Sequence, residues 1–530
     1  MIFTNLFRSL MAARQRPIER LAWRALSVVD AGCNRLYGWR GNPMYQSGTI
    51  VVALLTMLLA SGIWVLFFYR VGAPYASVAA LTASPITGNW VRGLHRYASD
   101  AALVATGVHL LRMFAQGRSW GPRTLAWVTG VGLLALLFIC GWTGYVMVWD
   151  QFGQMLAREG ARMLDTLPVL SEPVSRAFTG ERPLSSAFFF VNLFAHVALP
   201  LAVGVGLLLH VSQIARAKLF PPRPLMWSVI GALTAVAIIR PLSMEPAASA
   251  FELPATVTAD LFFAFWLPAS RVLHGGVSLG LGVLALVALA AVPLFTRRRT
   301  DAPSPSVVDD SICVGCRQCA ADCPYEAIQM IPRVSNRSDE VALVDPDKCV
   351  SCGICAGSCA PMGVGPGGRT GRHQLIAVRA FITNPQREAG EIVVVGCDRT
   401  ASGLAQVARN AGAVFYPVDC AGSVHTSVIE LLVRAGSGGV LVLACPPRDC
   451  WNREGPGWLH ERLYNQREAE LQARVDRRRV RMAYADAHDA AGTRAAITSF
   501  ASDLAKLDAP KADATLDVDT ACEPIVLMRS

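Results

Sequence analysis

The chain shows no Ser/His/Asp-type triad, no phosphate-binding loop and no substrate fingerprint, so chemistry on a bound metabolite has no visible machinery. Its glycine-rich candidate, GPGGRTG from Gly365, lacks the Lys-Ser/Thr pair of a phosphate-binding loop and reads as a connector. Cysteine is scarce outside one stretch. Twelve of the fifteen fall between Cys313 and Cys450 at metal-ligand spacings, leaving Cys33, Cys140 and Cys522 elsewhere. A disulfide scaffold would spread them through a small secreted chain, so reduced thiolates in a cytoplasmic compartment are expected. A cleavable leader is also missing. MIFTNLFRSLMAARQRPIERLAWRAL is basic and moderately amphipathic, with no cleavage-like site after a short apolar core. It is expected to lie along the cytoplasmic membrane face. The net charge of +10 does not argue for nucleic acid. Much of the basic excess sits in the N-terminal segment and in short loops beside apolar runs, where it sets topology.

What is present divides the chain. Of 530 residues, 53% are hydrophobic, and the mean hydropathy of +0.37 averages a membrane-rich first part with a polar last part. The length suggests about three or four domains. Six spanning helices are expected at about 47–69, 93–114, 124–148, 187–213, 224–240 and 275–295, the fifth being short. Loops after the second (Arg118, Arg123), fourth (Arg216, Lys218, Arg223) and sixth (Arg297, Arg298, Arg299) are basic, whereas Val71 to Val91 is nearly uncharged. That alternation puts both termini in the cytoplasm of an inner-membrane, multi-pass protein, with Asp150 to Leu184 outside.

The second apolar run, NWVRGLHRYASDAALVATGVHLLRMF, carries His95 and His109, fourteen residues apart. Fourteen residues is close to four helical turns, so both rings leave one face about 21 Å apart. The fourth run repeats the arrangement with His196 and His210. Two such helices can clamp two haems, one between His95 and His196 and one between His109 and His210. Bis-histidine ligation leaves no open axial position and makes each haem an electron carrier. Gly48 and Gly62 in the first run, and Gly130 and Gly144 in the third, share the fourteen-residue spacing. A glycine at each haem level lets a flat macrocycle approach the backbone. Arg92 and Arg112 flank the outer edges of the histidine pair and suit haem propionates. Helix–helix hydrogen bonding by histidine and close packing at glycine are the plain alternatives, but four elements sharing one spacing favour haem.

These residues, with GYVMVWDQ (Gly144 to Gln151), FAHVALP and YASVAAL, make the first part (about residues 20–300) resemble cytochrome b of the quinol-oxidising cytochrome bc complexes. The resemblance implies that the first histidine of each helix holds the outer haem and the second the cytoplasmic one. It also implies amphipathic helices over an outer quinol site in the connection after Asp150. The family's Pro-Glu-Trp-Tyr motif, whose Glu accepts a quinol proton, is absent from PATVTADLFFAFWLPASR. Asp260 is the nearest replacement; the alternative is a carboxylate at a helix end. The cysteine that attaches an extra haem in some relatives would fall near Gln46, so two noncovalent b haems are expected. Cys33 and Cys140 read as buried or interfacial thiols.

After the linker TDAPSPSVVDD, Cys313, Cys316, Cys319 and Cys323 stand as C-x2-C-x2-C-x3-C-P, and Cys349, Cys352, Cys355 and Cys359 repeat the spacing with Ala360 in place of proline. This is the two-cluster bacterial ferredoxin pattern (about residues 305–365), in which each run's fourth cysteine serves the other cluster. One [4Fe–4S] cluster would take Cys313, Cys316, Cys319 and Cys359. The other would take Cys349, Cys352, Cys355 and Cys323. Paired structural zinc sites fit the four-cysteine run poorly.

From Glu391 the runs EIVVVG, AVFYPVD and GGVLVLA are β-branched-rich and separated by helical stretches, as in a parallel α/β sheet. Each ends near a cysteine: Cys397, Cys420 and Cys445, with Cys450 shortly after. Carboxyl ends of parallel strands are where such sheets place their sites. Four thiolates there suit a [2Fe–2S] cluster or zinc. DCAGSVHTSVIELLVRAGSGGVLVLACPPRDCWNREGPG resembles the delta subunit of the methyl-viologen-reducing hydrogenase (about residues 389–500), an iron–sulfur protein that passes electrons to heterodisulfide reductase. That family carries further cysteines near its first strand, where this chain keeps Cys397. Leu463 to Val480 is charged and reads as a solvated or docking helix.

The expected fold is therefore multidomain: an all-α transmembrane haem-binding bundle, an α+β ferredoxin domain and an α/β parallel-sheet iron–sulfur domain. The boundaries are 1–46 interfacial segment, 47–299 membrane domain, 300–311 linker, 312–385 ferredoxin, 386–507 delta-subunit-like domain and 508–530 tail. The expected function is electron transfer between the quinone pool and soluble cytoplasmic flavin or iron–sulfur oxidoreductase subunits, with a homodimer left open. The alternatives are a membrane anchor and relay without its own quinone site, and a redox sensor.

Overall fold

The computed structural model describes residues 17–509 except 87, 169–171, 179–183, 213–215, 250–259, 297–303, 334–339, 384–387, 389, 398–401, 466 and 486–488. The Arg297, Arg298 and Arg299 cluster, the tail from 510 with Cys522, and residues 1–16 lie outside the described residues. Two compact units form: residues 17–22 with 46–296, and 23–45 with 304–509.

In the first unit all six expected helices appear, at Ser47–Leu66, Asn89–Ala115, Thr124–Val148, Ser186–Ser212, Arg223–Ile239 and Gly275–Ala290. The first, third and fourth are long and apolar enough to cross a membrane. The fifth and sixth are shorter apolar helices. The second has 27 residues but carries Arg92, Arg96, Asp100 and Arg112, which lower its average hydropathy. Its inner face is small. Ala98 and Ala102 are fully buried, and Gly93 approaches the fully buried Ala237 of the fifth helix. Small residues let helix backbones approach where apolar burial against lipid gives no preference. Leu54, Met57, Leu94 and Leu137 complete this core. After the third helix, Asp150 accepts a hydrogen bond from the Gly153 backbone N–H at 2.9 Å and starts an amphipathic helix, Gln151–Leu164. Its apolar side, Phe152, Met155 and Leu156, packs on Ala264 and Leu267.

In the second unit, strands β1 (Ser306–Val308), β2 (Ile328–Pro332), β3 (Glu340–Val344) and β4 (Val364–Pro366) make two antiparallel pairs, β1 with β4 and β2 with β3. β1 is drawn from the stretch read as linker, because Val308 packs with the cysteine-rich core. The C-terminal sheet is parallel, ordered β6-β5-β7-β8 from Ile392–Cys397 (β5), Ala413–Val418 (β6), Gly439–Ala444 (β7) and Val480–Tyr484 (β8). β7 is buried along its whole length, which explains its unbroken apolar sequence.

Three sequence boundaries move. Helix Gly371–Ile382 buries Val378 in the C-terminal core, so the ferredoxin fold closes at β4. GPGGRTG is the connector between them, as its motif suggested. The expected helix over 463–480 is instead the end of helix Gly455–Tyr464, an irregular run and the start of β8. Leu471 and Val475 are buried in the core, and Ala469 turns the chain with φ 55°. The charges that suggested a solvated helix are used in ion pairs, Arg467 with Asp322 and Arg474 with Glu430. Finally, the helix Pro17–Gly41 is not a separate interfacial piece throughout: Trp39 packs on Tyr484, with ring centroids 4.6 Å apart.

Candidate metal centres

The four histidines fall into the two expected pairs. His95 and His196 face each other with ring centroids 6.5 Å apart and planes at 67°. Two metal–nitrogen bonds of about 2 Å plus the half-widths of two imidazoles make up that separation. His109 lies within electrostatic reach of His210, the second pair. Each ring is backed by one of the expected glycines. An added Cβ would stand 2.8 Å from His109 Cε1 at Gly48, 3.1 Å from His95 at Gly62, 3.2 Å from His210 at Gly130 and 3.0 Å from His196 at Gly144. The expectation was room for a macrocycle; the glycines make room for the ligand's ring. The residues present fit two bis-histidine haems.

A second feature of these sites escaped the sequence reading. Each glycine follows a hydroxyl residue, and that hydroxyl meets a histidine Nδ1. Ser61 lies 3.0 Å from His95, Thr143 3.0 Å from His196, Thr129 3.1 Å from His210 and Ser47 3.4 Å from His109. Ser61, Thr129 and Thr143 spend their own protons on main-chain carbonyls of Met57, Leu125 and Cys140. They therefore accept Nδ1–H, which leaves Nε2 for a metal. The signal was a Ser/Thr-Gly dipeptide repeated four times, at 47–48, 61–62, 129–130 and 143–144.

Around this bundle, Arg92 donates to Thr82 Oγ1 at 3.1 Å and to the Leu242 carbonyl at 3.2 Å. Arg112 is buried. Cys140 Sγ, half-buried, stands 3.9 Å from His196 Nδ1. Asp260 is embedded in a network. Its Oδ1 accepts from the backbone N–H groups of Phe262, Phe263 and Ala264 at 2.9, 2.6 and 3.0 Å. Its Oδ2 pairs with Arg96 at 2.5 Å and accepts from the Tyr145 hydroxyl. Burial pushes this carboxyl up, but the Tyr145 and backbone hydrogen bonds and the Arg96 charge outweigh it and hold it below the ordinary range.

The ferredoxin cysteines gather around two cavities. One, of about 350 Å³, is lined by Cys313, Cys316, Cys319 and Cys359. The other, of about 300 Å³, is lined by Cys349, Cys352, Cys355 and Cys323. These are the two expected ligand sets, with each fourth cysteine crossing to the other site. The backbone repeats with them: φ is positive at Gly315 and Ser351, at Arg317 and Gly353, and at Glu326 and Met362. Such left-handed turns aim N–H groups into an anion-binding concavity. Ala327 N donates to Cys323 Sγ and Gly363 N to Cys359 Sγ, each at 3.3 Å. Ser306 adds its backbone N–H to Cys349 and its hydroxyl to Cys355, again at 3.3 Å. Burial pushes the Cys355 thiol up to about 12 and Cys352 well above the ordinary value. Dry, crowded thiols of this kind ionise when a cationic centre binds and displaces their protons.

Cys397, Cys420, Cys445 and Cys450 form one buried cluster. Their meeting point follows from strand order. β5 and β7 are neighbours whose connections leave in opposite directions, and the quartet sits at the carboxyl ends of β5, β6 and β7. Among the described residues, no group of three or more His, Cys, Asp or Glu side chains is arranged to hold a single metal ion. No disulfide joins the described cysteines.

The ferredoxin fold and the C-terminal fold meet along a glycine-lined seam. Ile354, between Cys352 and Cys355, packs at Gly455, and Gly455 packs at Cys420 Sγ. Added Cβ atoms would stand 3.1 Å from Ser423 Cβ at Gly353 and 2.4 Å from Gly455 Cα at Gly422. His425 bonds the Cys359 carbonyl through Nε2 at 3.2 Å, and burial, with the Arg462 charge, pushes it down to about 4. It is neutral near pH 7. Arg462 is fully buried, donating to Ser358 Oγ and the Gly422 carbonyl, both at 2.8 Å. Its partner Asp322 is also fully buried, at 3.6 Å. Removing one member of a buried pair costs about 3–5 kcal/mol, so this pair also fixes how the two folds dock.

Residues 40–218 match the family model for cytochrome b/b6/petB, residues 312–363 the 4Fe-4S dicluster domain, and residues 391–508 the methyl-viologen-reducing hydrogenase, delta subunit. The three matches fall in the order expected from the sequence. The first ends before the fifth helix, so the Asp260 region lies beyond it. A solved structure titled "Hyperthermophilic respiratory Complex III" is 17% identical, covering 47% of this chain and 75% of that chain, with a TM-score of 0.38. The family matches, with the apolar helices, support a membrane electron-transfer subunit carrying haem and [4Fe–4S] clusters.

Proposed function

We propose that the chain connects the quinone pool to a cytoplasmic redox enzyme, through two b haems, two [4Fe–4S] clusters and a [2Fe–2S] centre at the strand-end quartet. His95 with His196 and His109 with His210 hold the haems, and Arg92 and Arg112 face propionates. Bound haem and iron–sulfur groups supply one-electron carriers; the chain's residues position them, exclude water and set their potentials. Quinol oxidation also releases protons. Asp260 accepts one when its pairing with Arg96 opens, and Tyr145 holds the carboxylate in place until then. The ferredoxin and C-terminal domains lie on the cytoplasmic side, where a heterodisulfide-reductase-like flavoprotein, hydrogenase or dehydrogenase docks. The delta-subunit match supports a redox partner of this kind without choosing among the three.

The observation that carries the reading is the seam. Ile354, between two cysteines of the second ferredoxin site, and the quartet's Cys420 both pack at Gly455, so the two sites meet across one glycine. Cys445→Ser tests it. The variant is expected to lose the quartet centre while keeping haems and cubanes, and to reduce its haems from quinol but not its soluble partner. Normal transfer to the partner would end the wire at the ferredoxin, and zinc in the quartet would make the C-terminal domain a docking module. A second reading, an anchor and relay with no quinone site, draws on the missing Pro-Glu-Trp-Tyr motif; haem reduction indifferent to quinone-site inhibitors would favour it.

A further inference from the structure

We propose that the buried Arg462–Asp322 pair sets the potential difference between the second ferredoxin site and the strand-end quartet, making the quartet the easier centre to reduce. The inference rests on the reading that both sites hold iron–sulfur centres. Arg462 touches the ferredoxin fold at Ser358 and Gly357, but it alone of the two reaches the Gly422 and Val424 carbonyls on the quartet's side, and Asp322 lies on the ferredoxin side. Asp322 ends the short helix Gln318–Asp322 and immediately precedes Cys323, a ligand of the second ferredoxin site. Arg462 reaches from the other side and bonds the Gly422 carbonyl, two residues after Cys420 of the quartet. Between them, Ser358 accepts from Arg462 at 2.8 Å and donates to Asp322 Oδ2 at 2.6 Å. Both charges are fully out of water; Arg467, partly exposed and screened, also pairs with Asp322 and with Glu461.

A buried cation stabilises the state with one more electron, and a buried anion opposes it. Net charge and hydrogen bonding near the sulfurs are known levers on iron–sulfur potentials. Asp322 therefore holds the ferredoxin centre down, and Arg462 draws the quartet centre up. The step concerned is a single electron passing between them: one centre is oxidised, the other reduced, and no bond or proton changes hands. The pair also explains why two full charges are buried at a seam where apolar residues would pack as well.

The test is a redox titration of the purified full chain followed by electron paramagnetic resonance. Arg462→Gln should lower the reduced-to-oxidised ratio of the quartet centre, at the wild-type midpoint, by on the order of tenfold. Asp322→Asn should raise that ratio for the second ferredoxin centre, so both changes narrow the gap. Haem midpoints should not move. Arg462→Lys keeps the charge and should keep most of the gap. Equal shifts at the two iron–sulfur centres, or unmoved midpoints with full iron content, would overturn the proposal. If Arg462→Gln loses iron, the Lys variant decides: retained iron with a collapsed gap overturns it, and a retained gap supports it. Wild-type protein without a binuclear signal would instead sink the underlying reading of the quartet.

Discussion

The helical bundle of the first unit and the second unit solve one problem, gathering candidate metal ligands, in different ways. In the bundle each ligand is placed by one continuous helix, so every part of a site recurs at one interval. His95 and His109, Gly48 and Gly62, and Ser47 and Ser61 are all fourteen residues apart. In the second unit the ligands sit on turns and strand ends. Their support comes from left-handed residues and from charges far away in sequence, such as Arg462 and Asp322. The first design tolerates sequence change between the sites but not at the helix contacts. The second depends on the docking of two separate folds.

The largest effect that would break this comparison is at an axial ligand. His196→Ala should halve the haem content, to about one haem per chain, and leave the iron–sulfur centres intact, as read by pyridine haemochrome and iron assays. Loss of both haems together would mean the bundle is one cooperative site rather than two repeated ones. Next, Gly144→Val should displace the His196 ring and weaken the same haem, while Gly132→Val, with open space around it, should not. Equal effects would remove the special role of the ring-backing glycines. The smallest effect belongs to the hydroxyls. Ser61→Ala should keep both haems but weaken the outer one by about 10- to 100-fold in a haem-transfer assay, and Cys140→Ser should do less.

How far the sequence could be read follows the same division. Helix positions, the pairing of the four histidines and the grouping of the ferredoxin cysteines were legible because each is a spacing along the chain. The strands leading to Cys397 and Cys445 were legible because β5 and β7 are buried and apolar. The hydroxyls beside the glycines were visible in the sequence but were passed over, since serine and threonine are common in membrane helices. The irregular run before β8 was misread as a helix, because Arg474 and Arg467 look solvated until Glu430 and Asp322 are brought to them. β1 hid in a Pro/Ser-rich stretch, for its pairing partner β4 lies more than fifty residues away. The seam was beyond any local pattern: a buried Arg462 reads as surface charge until two domains meet around it.

The central claim is an unbroken path from the bilayer to the quartet. It is tested most directly by mixing the purified full chain with a quinol and following all centres by rapid freeze-quench spectroscopy. In the wild type, haems, ferredoxin clusters and quartet should each gain electrons. In Cys349→Ser, which removes a ligand of the second ferredoxin site, the haems should still be reduced and the quartet should stay oxidised. A quartet reduced as fast in Cys349→Ser as in the wild type would contradict the path.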